Sequence, residues 1–144
     1  MTIKIKYHDP ELTHLEFTKG GRAKWIDLRA AERVELKQFE HKIISLGVSM
    51  ELPDGYEAWI APRSSTYKNW FILQTNAPGI IDHAYMGDQD VWGYSVVAMK
   101  DTVIEKGDRI CQFRIMKEMD EVDLETVEFL HNDGRGGFGS TGRA

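Results

Sequence analysis

Residues 41–52 constrain this chain most: Ile44, Leu46, Val48, Met50 and Leu52 recur at every second position. A period of two puts all five side chains on one face of an extended strand, whereas a helix would scatter them around its axis. Pro53-Asp54-Gly55 then supplies turn-forming residue types, and Tyr56, Ala58 and Ile60 resume the alternation. The spacing predicts a hairpin, residues 41–52 with a return strand from Tyr56. Ile3, Ile5 and Tyr7 alternate with Lys4 and Lys6, and residues 8–24 read as loop. Ile26, Leu28 and Ala30 share a face opposite Trp25, Asp27 and Arg29. Further strands are expected at 71–73, 91–99, from Val103-Ile104, at 110–116 and at 122–130. A short helix is expected behind Ser64-Ser65-Thr66, hydroxyls suited to capping. No helical period of ten or more residues is present. Many short strands punctuated by Gly and Pro indicate an all-β sandwich or barrel.

With 144 residues the chain suits one domain and can bury a sizeable core. Its net charge of −5 gives no basic footprint for a nucleic acid, so no direct nucleic-acid binding is expected. The single cysteine, Cys111, cannot form an intramolecular disulfide, which fits a reducing cytoplasm. The opening MTIKIKYHDP has no apolar core of a signal peptide, and runs such as 96–99 are too short to span a bilayer. The five histidines show no H-x-x-x-H spacing, so no protein zinc site is expected.

Two stretches carry chemistry. GIIDHAYMGD, residues 79–88, runs Ile80-Ile81 into a carboxylate, Asp82, with Tyr85 three positions on. A carboxylate on a fixed backbone can hold and deprotonate a water beside a flat ligand; the same residues also describe a hairpin with a solvated Asp at its tip. GRGGFGSTG, residues 134–142, has the glycine spacing of a Walker A loop, but Ser140 stands where that loop needs Lys, and only Arg143-Ala144 follow. Its glycine N–H groups and the Ser140 and Thr141 hydroxyls can still cradle phosphate, and Phe138 can stack; an inert polar terminus is the other reading. The expected division is a β-domain over 1–132 and a flexible glycine-rich lid over 133–144. His83 reads as a surface residue, Cys111 as a buried strand residue, and the tryptophans at 25, 59, 70 and 92 as packing or interface residues.

Taken in order, AKWIDLRAAE around Asp27, APRSST with Arg63 and Ser64, GIIDHAYMGD preceded by Asn76, KGDRICQ with Arg109 and Gln112, and GRGGFGSTG resemble the five motifs of the homotrimeric dUTP pyrophosphatase (dUTPase) family. The resemblance covers nearly the whole chain. It implies a jelly-roll-like all-β subunit, a homotrimer with three sites between subunits, and Mg²⁺-dependent hydrolysis of dUTP to dUMP and pyrophosphate by attack of water at the α-phosphate. Such an activity limits uracil incorporation into DNA and supplies dUMP for thymidylate synthesis. By resemblance, Asp82 is the general base and Tyr85 packs on deoxyribose. Asn76, Gly79, Ile80 and Ile81 form the uracil-reading hairpin. Arg63, Ser64, Ser65 and Gln112 meet phosphate. Phe138 closes over uracil, with Gly139, Ser140 and Thr141 as donors and Arg135 as a nearby charge. No direct protein ligand to Mg²⁺ is implied; Asp27 and Gln112 reach it through water. A dCTP deaminase, which shares this fold and a PRSS-like segment, is the enzymatic alternative, and a dUTPase with an added protein-binding regulatory role is the other.

Overall fold

The computed structural model describes residues 1–137. Its elements are β1 (Lys4–Tyr7), β2 (Ile26–Arg29), β3 (Val34–Leu36), β4 (His41–Ser45), β5 (Val48–Glu51), β6 (Tyr56–Pro62), α1 (Thr66–Trp70), β7 (Ile72–Gln74), β8 (Gly79–Ile81), β9 (Gly93–Ala98), β10 (Thr102–Ile104) and β11 (Arg109–Lys117). All pairings are antiparallel. A four-stranded sheet runs β2-β11-β6-β8, a three-stranded sheet β4-β9-β7, and two ribbons pair β1 with β5 and β10 with β3. The architecture is the expected jelly-roll-like β-fold with one short helix.

Period-two patterning explains the core. On β9, Tyr94, Val96 and Ala98 are buried while Gly93, Ser95 and Val97 are half-exposed. Trp92 packs edge-to-face on Phe113 of β11 at 5.0 Å between ring centroids, a geometry that aromatic quadrupoles favour. The five alternating residues of 41–52 are all buried. They do not form one strand. The run breaks after Ser45, and β4 pairs with β9 whereas β5 pairs with β1. Gly47 makes the switch: its φ of +68° favours glycine, and a Cβ there would meet the Ala31 Cβ at 2.9 Å.

The expected hairpin across residues 53–55 is likewise corrected. The turn forms, with Tyr56 N–H donating to the Pro53 carbonyl at 3.2 Å. However, β6 pairs with β11 and β8, not with β5. The turn therefore passes the chain between sheets. Alternation fixes which face is buried but not which strand lies alongside.

The strand expected at 122–130 is absent. The last strand ends at Lys117, and Leu124 is 93 % exposed. Val122, Val127, Phe129 and Leu130 are exposed as well. Six acidic residues lie from Glu118 to Glu128, and residues 122–130 pair with no strand among the described residues. The helix α1 does form, but not by hydroxyl capping from Ser65. Thr66 organises it: its Oγ1 accepts from the Arg63 N–H at 2.8 Å and donates to the Ile110 carbonyl at 2.9 Å.

Candidate active site

Polar chemistry concentrates at the two ends of β6. At its C-terminal end, Asp27 of β2 stands opposite Gln112 of β11, which stands opposite Ala61 of β6. Asp27 is a carboxylate only 2 % exposed, although simple alternation places it on an outer face. A buried charge needs partners, and Asp27 has three. Thr18 Oγ1 donates to its Oδ1 at 2.8 Å. Arg63 Nε lies 3.1 Å from the same oxygen, and Arg109 Nη1 lies 3.5 Å from Oδ2. The Arg63 contact is an ion pair without hydrogen-bond alignment at Nε, while its Nη1 donates to the Arg109 carbonyl at 3.0 Å.

Local structure delivers each of these side chains. A β-bulge between Arg109 and Cys111 leaves Ile110 as the extra residue and puts Arg109, opposite Arg29, out of step with the rest of the ladder, the usual way a strand re-aims a side chain beside a site. Arg63 follows β6 directly. Thr18 opens a 3-10 turn, Thr18–Gly21, and its N–H donates to the Trp25 carbonyl at 2.8 Å. Gln112 Nε2 donates to the Pro62 carbonyl at 3.1 Å. Its Oε1 lies 3.3 Å from Thr18 Oγ1, whose single proton is drawn to the nearer, charged Asp27. Ser64 is exposed and Ser65 half-exposed at the start of α1. The result is a held pair of guanidinium groups with hydroxyls beside them, suited to an oligophosphate. Burial, then the Asp27 charge, pushes the neighbouring Cys111 thiol well up despite Arg63, so Cys111 is no nucleophile.

The other end differs. β8 runs alongside β6 with Gly79 opposite Ile60 and Ile81 opposite Ala58. Asp82 follows, exposed, as the cap of a 3-10 turn, His83–Tyr85; its Oδ1 accepts from the Ala84 N–H at 3.0 Å. One hydrogen bond orients the carboxylate and leaves its remaining lone pairs to solvent. The Tyr85 hydroxyl donates to the Val91 carbonyl at 2.8 Å, which pins a ring that is 39 % exposed. His83 Nε2 lies 3.5 Å from Glu118 Oε1. Asn76 is exposed on the connector between β7 and β8.

These two ends do not meet. Asp82 lies beyond the Ile81–Ala58 pair, beside the start of β6, and Arg63 follows its end. Six residues of extended chain separate them, roughly 20 Å at strand rise. Of the expected site residues, Asp27, Arg63, Ser64, Ser65 and Gln112 therefore share one end, and Asp82 and Tyr85 share the other. Asn76, Gly79, Ile80 and Ile81 lead along β8 from the Ile60 level toward Asp82. Arg135 lies on the exposed segment after β11; Phe138, Gly139, Ser140 and Thr141 fall outside the described residues. Among the described residues, no group of three or more His, Cys, Asp or Glu side chains is arranged to hold a metal ion, and no helix is long and apolar enough to cross a membrane.

Sequence patterning missed Thr18, which sits in a polar loop nine residues before its partner with no periodicity to mark it. It also gave Arg109 a place in a motif without a role, which the bulge supplies.

Residues 22–142 match the family model for dUTPase. The chain is 57 % identical over 142 residues to the SPbeta prophage-derived deoxyuridine 5'-triphosphate nucleotidohydrolase YosS of Bacillus subtilis, covering 99 % of each chain. In three dimensions it is similar to the Staphylococcus bacteriophage 80alpha dUTPase solved with dUPNHPP, with a TM-score of 0.79, 22 % identity and 99 % of each chain covered. It is also similar to a mutant dUTPase from phage phi11 of S. aureus, described as coordinating a structural Mg(II) ion, with a TM-score of 0.75, 18 % identity, and 92 % of this chain and 100 % of that one covered. On the family model and the 57 % identity across its length, the chain belongs to the dUTPase family.

Proposed function

We propose that the chain hydrolyses dUTP to dUMP and pyrophosphate in sites shared between copies of a cytoplasmic homotrimer. The observation that carries this is the separation of the two ends of β6: one end holds cations for a phosphate chain, the other holds an exposed, oriented carboxylate. One chain cannot apply both to one small substrate. A neighbouring copy that presents its Asp82 end to this chain's Arg63 end completes the site, as closed rings of identical contacts allow.

In that site Arg63, with Ser64, Ser65 and Gln112, meets the phosphates. Asp27 and Thr18 hold the guanidinium groups in place. Asp82 accepts a proton from the attacking water, whose oxygen bonds to the α-phosphorus as the bond to the bridging oxygen breaks and pyrophosphate leaves. The pinned Tyr85 ring covers deoxyribose and fills the space of a ribose 2′-hydroxyl. Asn76 and the backbone of Gly79, Ile80 and Ile81 read the uracil edge, leaving cytosine with mismatched donors. The 133–144 segment is the lid: Phe138 stacks on uracil, Gly139, Ser140 and Thr141 donate to phosphate, and Arg135 adds charge. Its approach from a neighbour suits the exposed 122–130 segment that precedes it.

Mg²⁺ fits this donor set as an ion carried by the triphosphate. Both Asp27 oxygens are already engaged, so Asp27 and Gln112 would meet the ion's water shell, in keeping with the reluctance of Mg²⁺ to shed it. When bound it neutralises phosphate charge.

Pyrophosphate and ammonia release measured across the nucleoside triphosphates, with and without Mg²⁺, tests the reading. Pyrophosphate from dUTP alone, dependent on Mg²⁺, is expected. Ammonia from dCTP would establish the deaminase instead, and equal rates on UTP would remove Tyr85 from selectivity.

A further inference from the structure

We infer that Gln74 is a positioning residue for base recognition, fixing the connector that carries Asn76 and so setting how tightly the site takes uracil. This rests on the reading of Asn76 and residues 79–81 as the base-contacting hairpin. Gln74 ends β7, where it pairs with Val96 in the three-stranded sheet. Its side chain leaves that sheet. Nε2 donates to the Ile60 carbonyl of β6 in the four-stranded sheet at 2.9 Å, and to the Asn76 carbonyl at 2.6 Å. Both contacts are to carbonyl oxygens, so the chemistry fixes which end of the amide is nitrogen. The two N–H groups are thereby used, one on β6 and one on the connector. Gln74 Oε1 is buried without a partner, so this position draws on the donors alone.

The surroundings make the hold tight. A Cβ on Gly79 would sit 3.3 Å from Gln74 Nε2, 3.3 Å from the Ile60 Cβ and 3.6 Å from Asn76 Nδ2. The amide, Asn76 and a side-chain-free Gly79 therefore pack as one unit where the two sheets meet. Thr75 anchors the start of the connector through its N–H to the Ser95 carbonyl at 2.9 Å. Pro78 offers no N–H of its own, and the Gln74 amide tethers the intervening Asn76 backbone. A recognition loop loosened at that tether loses alignment with its ligand, and small misplacements are costly.

The test is steady-state kinetics on dUTP and dCTP with Gln74→Met, which has similar length but no donors, and Gln74→Glu. Gln74→Met should raise KM for dUTP about tenfold, the effect of losing both hydrogen bonds that hold the connector. Its kcat should stay within about twofold, because no group acting only in the transition state is lost. The preference for dUTP over dCTP should fall with the rise in KM. Gln74→Glu should be no better than Gln74→Met, since a carboxylate sets acceptors against two carbonyls. Thr75→Val, which keeps the backbone N–H anchor to the Ser95 carbonyl and loses only the side-chain contact to Ser95, should lower Tm and leave KM alone. Should Gln74→Met not fold, Gln74→Asn, with both donors one methylene short, carries the same expectation in KM.

An unchanged KM and preference in Gln74→Met, a Gln74→Glu better than Gln74→Met, or an equal rise in KM in Thr75→Val overturns the proposal. NMR of the wild-type protein with a non-hydrolysable dUTP analogue separates the two layers. If the amides of Gly79, Ile80 and Ile81 do not shift, the hairpin does not read the base and both readings fall. If they shift while Gln74→Met keeps its KM and preference, only the role of Gln74 falls.

Discussion

The two ends of β6 carry two carboxylates of opposite character. Asp27 is buried, with both oxygens committed to Thr18, Arg63 and Arg109. Asp82 is exposed and receives one backbone N–H, from Ala84. A carboxylate whose two oxygens are both engaged by neighbouring donors has little room to hold a water. A carboxylate oriented by one N–H and open to water is placed to take a proton. In the proposed reading one end holds charge and the other reacts, and the fold keeps the two roughly 20 Å apart along a single strand.

The largest effect should come from the reactive end. Asp82→Asn keeps the shape but removes the base, and kcat should fall ~10²–10⁴-fold with the fold intact; near-normal turnover would end the contrast. Mixing comes next. Asp82→Asn and Arg63→Gln chains are each expected to be nearly inactive alone. Co-refolded in equal amounts, they should recover about a quarter of wild-type activity, because a shared site can draw each intact end from a different chain. No recovery in verified mixed oligomers would mean that the two ends never serve one substrate.

The holding end should answer mainly in stability. Asp27→Asn leaves two guanidinium groups without their anion, but Arg63 and Arg109 side chains are 21 % and 43 % exposed, so water takes up part of the loss. Urea unfolding at fixed protein concentration should show a loss of about 2 kcal/mol, with a raised KM for dUTP. A KM unchanged alongside that loss would reduce the cluster to a structural ion pair. Tyr85→Phe should cost less than about 1 kcal/mol, the net worth of one hydrogen bond to the Val91 carbonyl. Discrimination against UTP should survive, because the ring remains; its loss would show that the hydroxyl, not the ring, excludes the ribose. Smallest of all, Cys111 should resist a thiol reagent at pH 8 in the folded protein and react only after unfolding. Burial raises its pKa and removes access together.

How much of this was legible depended on the kind of information each residue carries. Ile44, Leu46, Val48, Met50 and Leu52 declared their burial correctly through parity, yet parity is blind to Gly47, where the chain changes sheets. The turn at 53–55 was legible as a turn, but its neighbours in space are set by β11 and β8, which lie far along the chain. The 122–130 alternation was legible as apolar periodicity, but a strand also needs a partner strand, and among the described residues this segment pairs with none. At the site, the motif residues were found where they stand in sequence. Thr18 and Gln74 make side-chain hydrogen bonds to Asp27 and to the Ile60 and Asn76 carbonyls, and such bonds leave no periodic trace. The sequence also places Arg63 and Asp82 only nineteen positions apart, and nothing in that spacing says that a strand keeps them apart.

The span of β6 also sets how damage spreads through a population of chains. In the proposed ring of three copies, a chain injured only at its Arg63 end or only at its Asp82 end would remove a single site. A chain injured at both ends removes two, one with each neighbour. Doubly altered chains blended into wild-type protein should therefore depress activity more steeply than the same dose of either singly altered chain. The gene's tolerance of a defective copy would then depend less on how severe a lesion is than on whether it reaches both ends of one seven-residue strand.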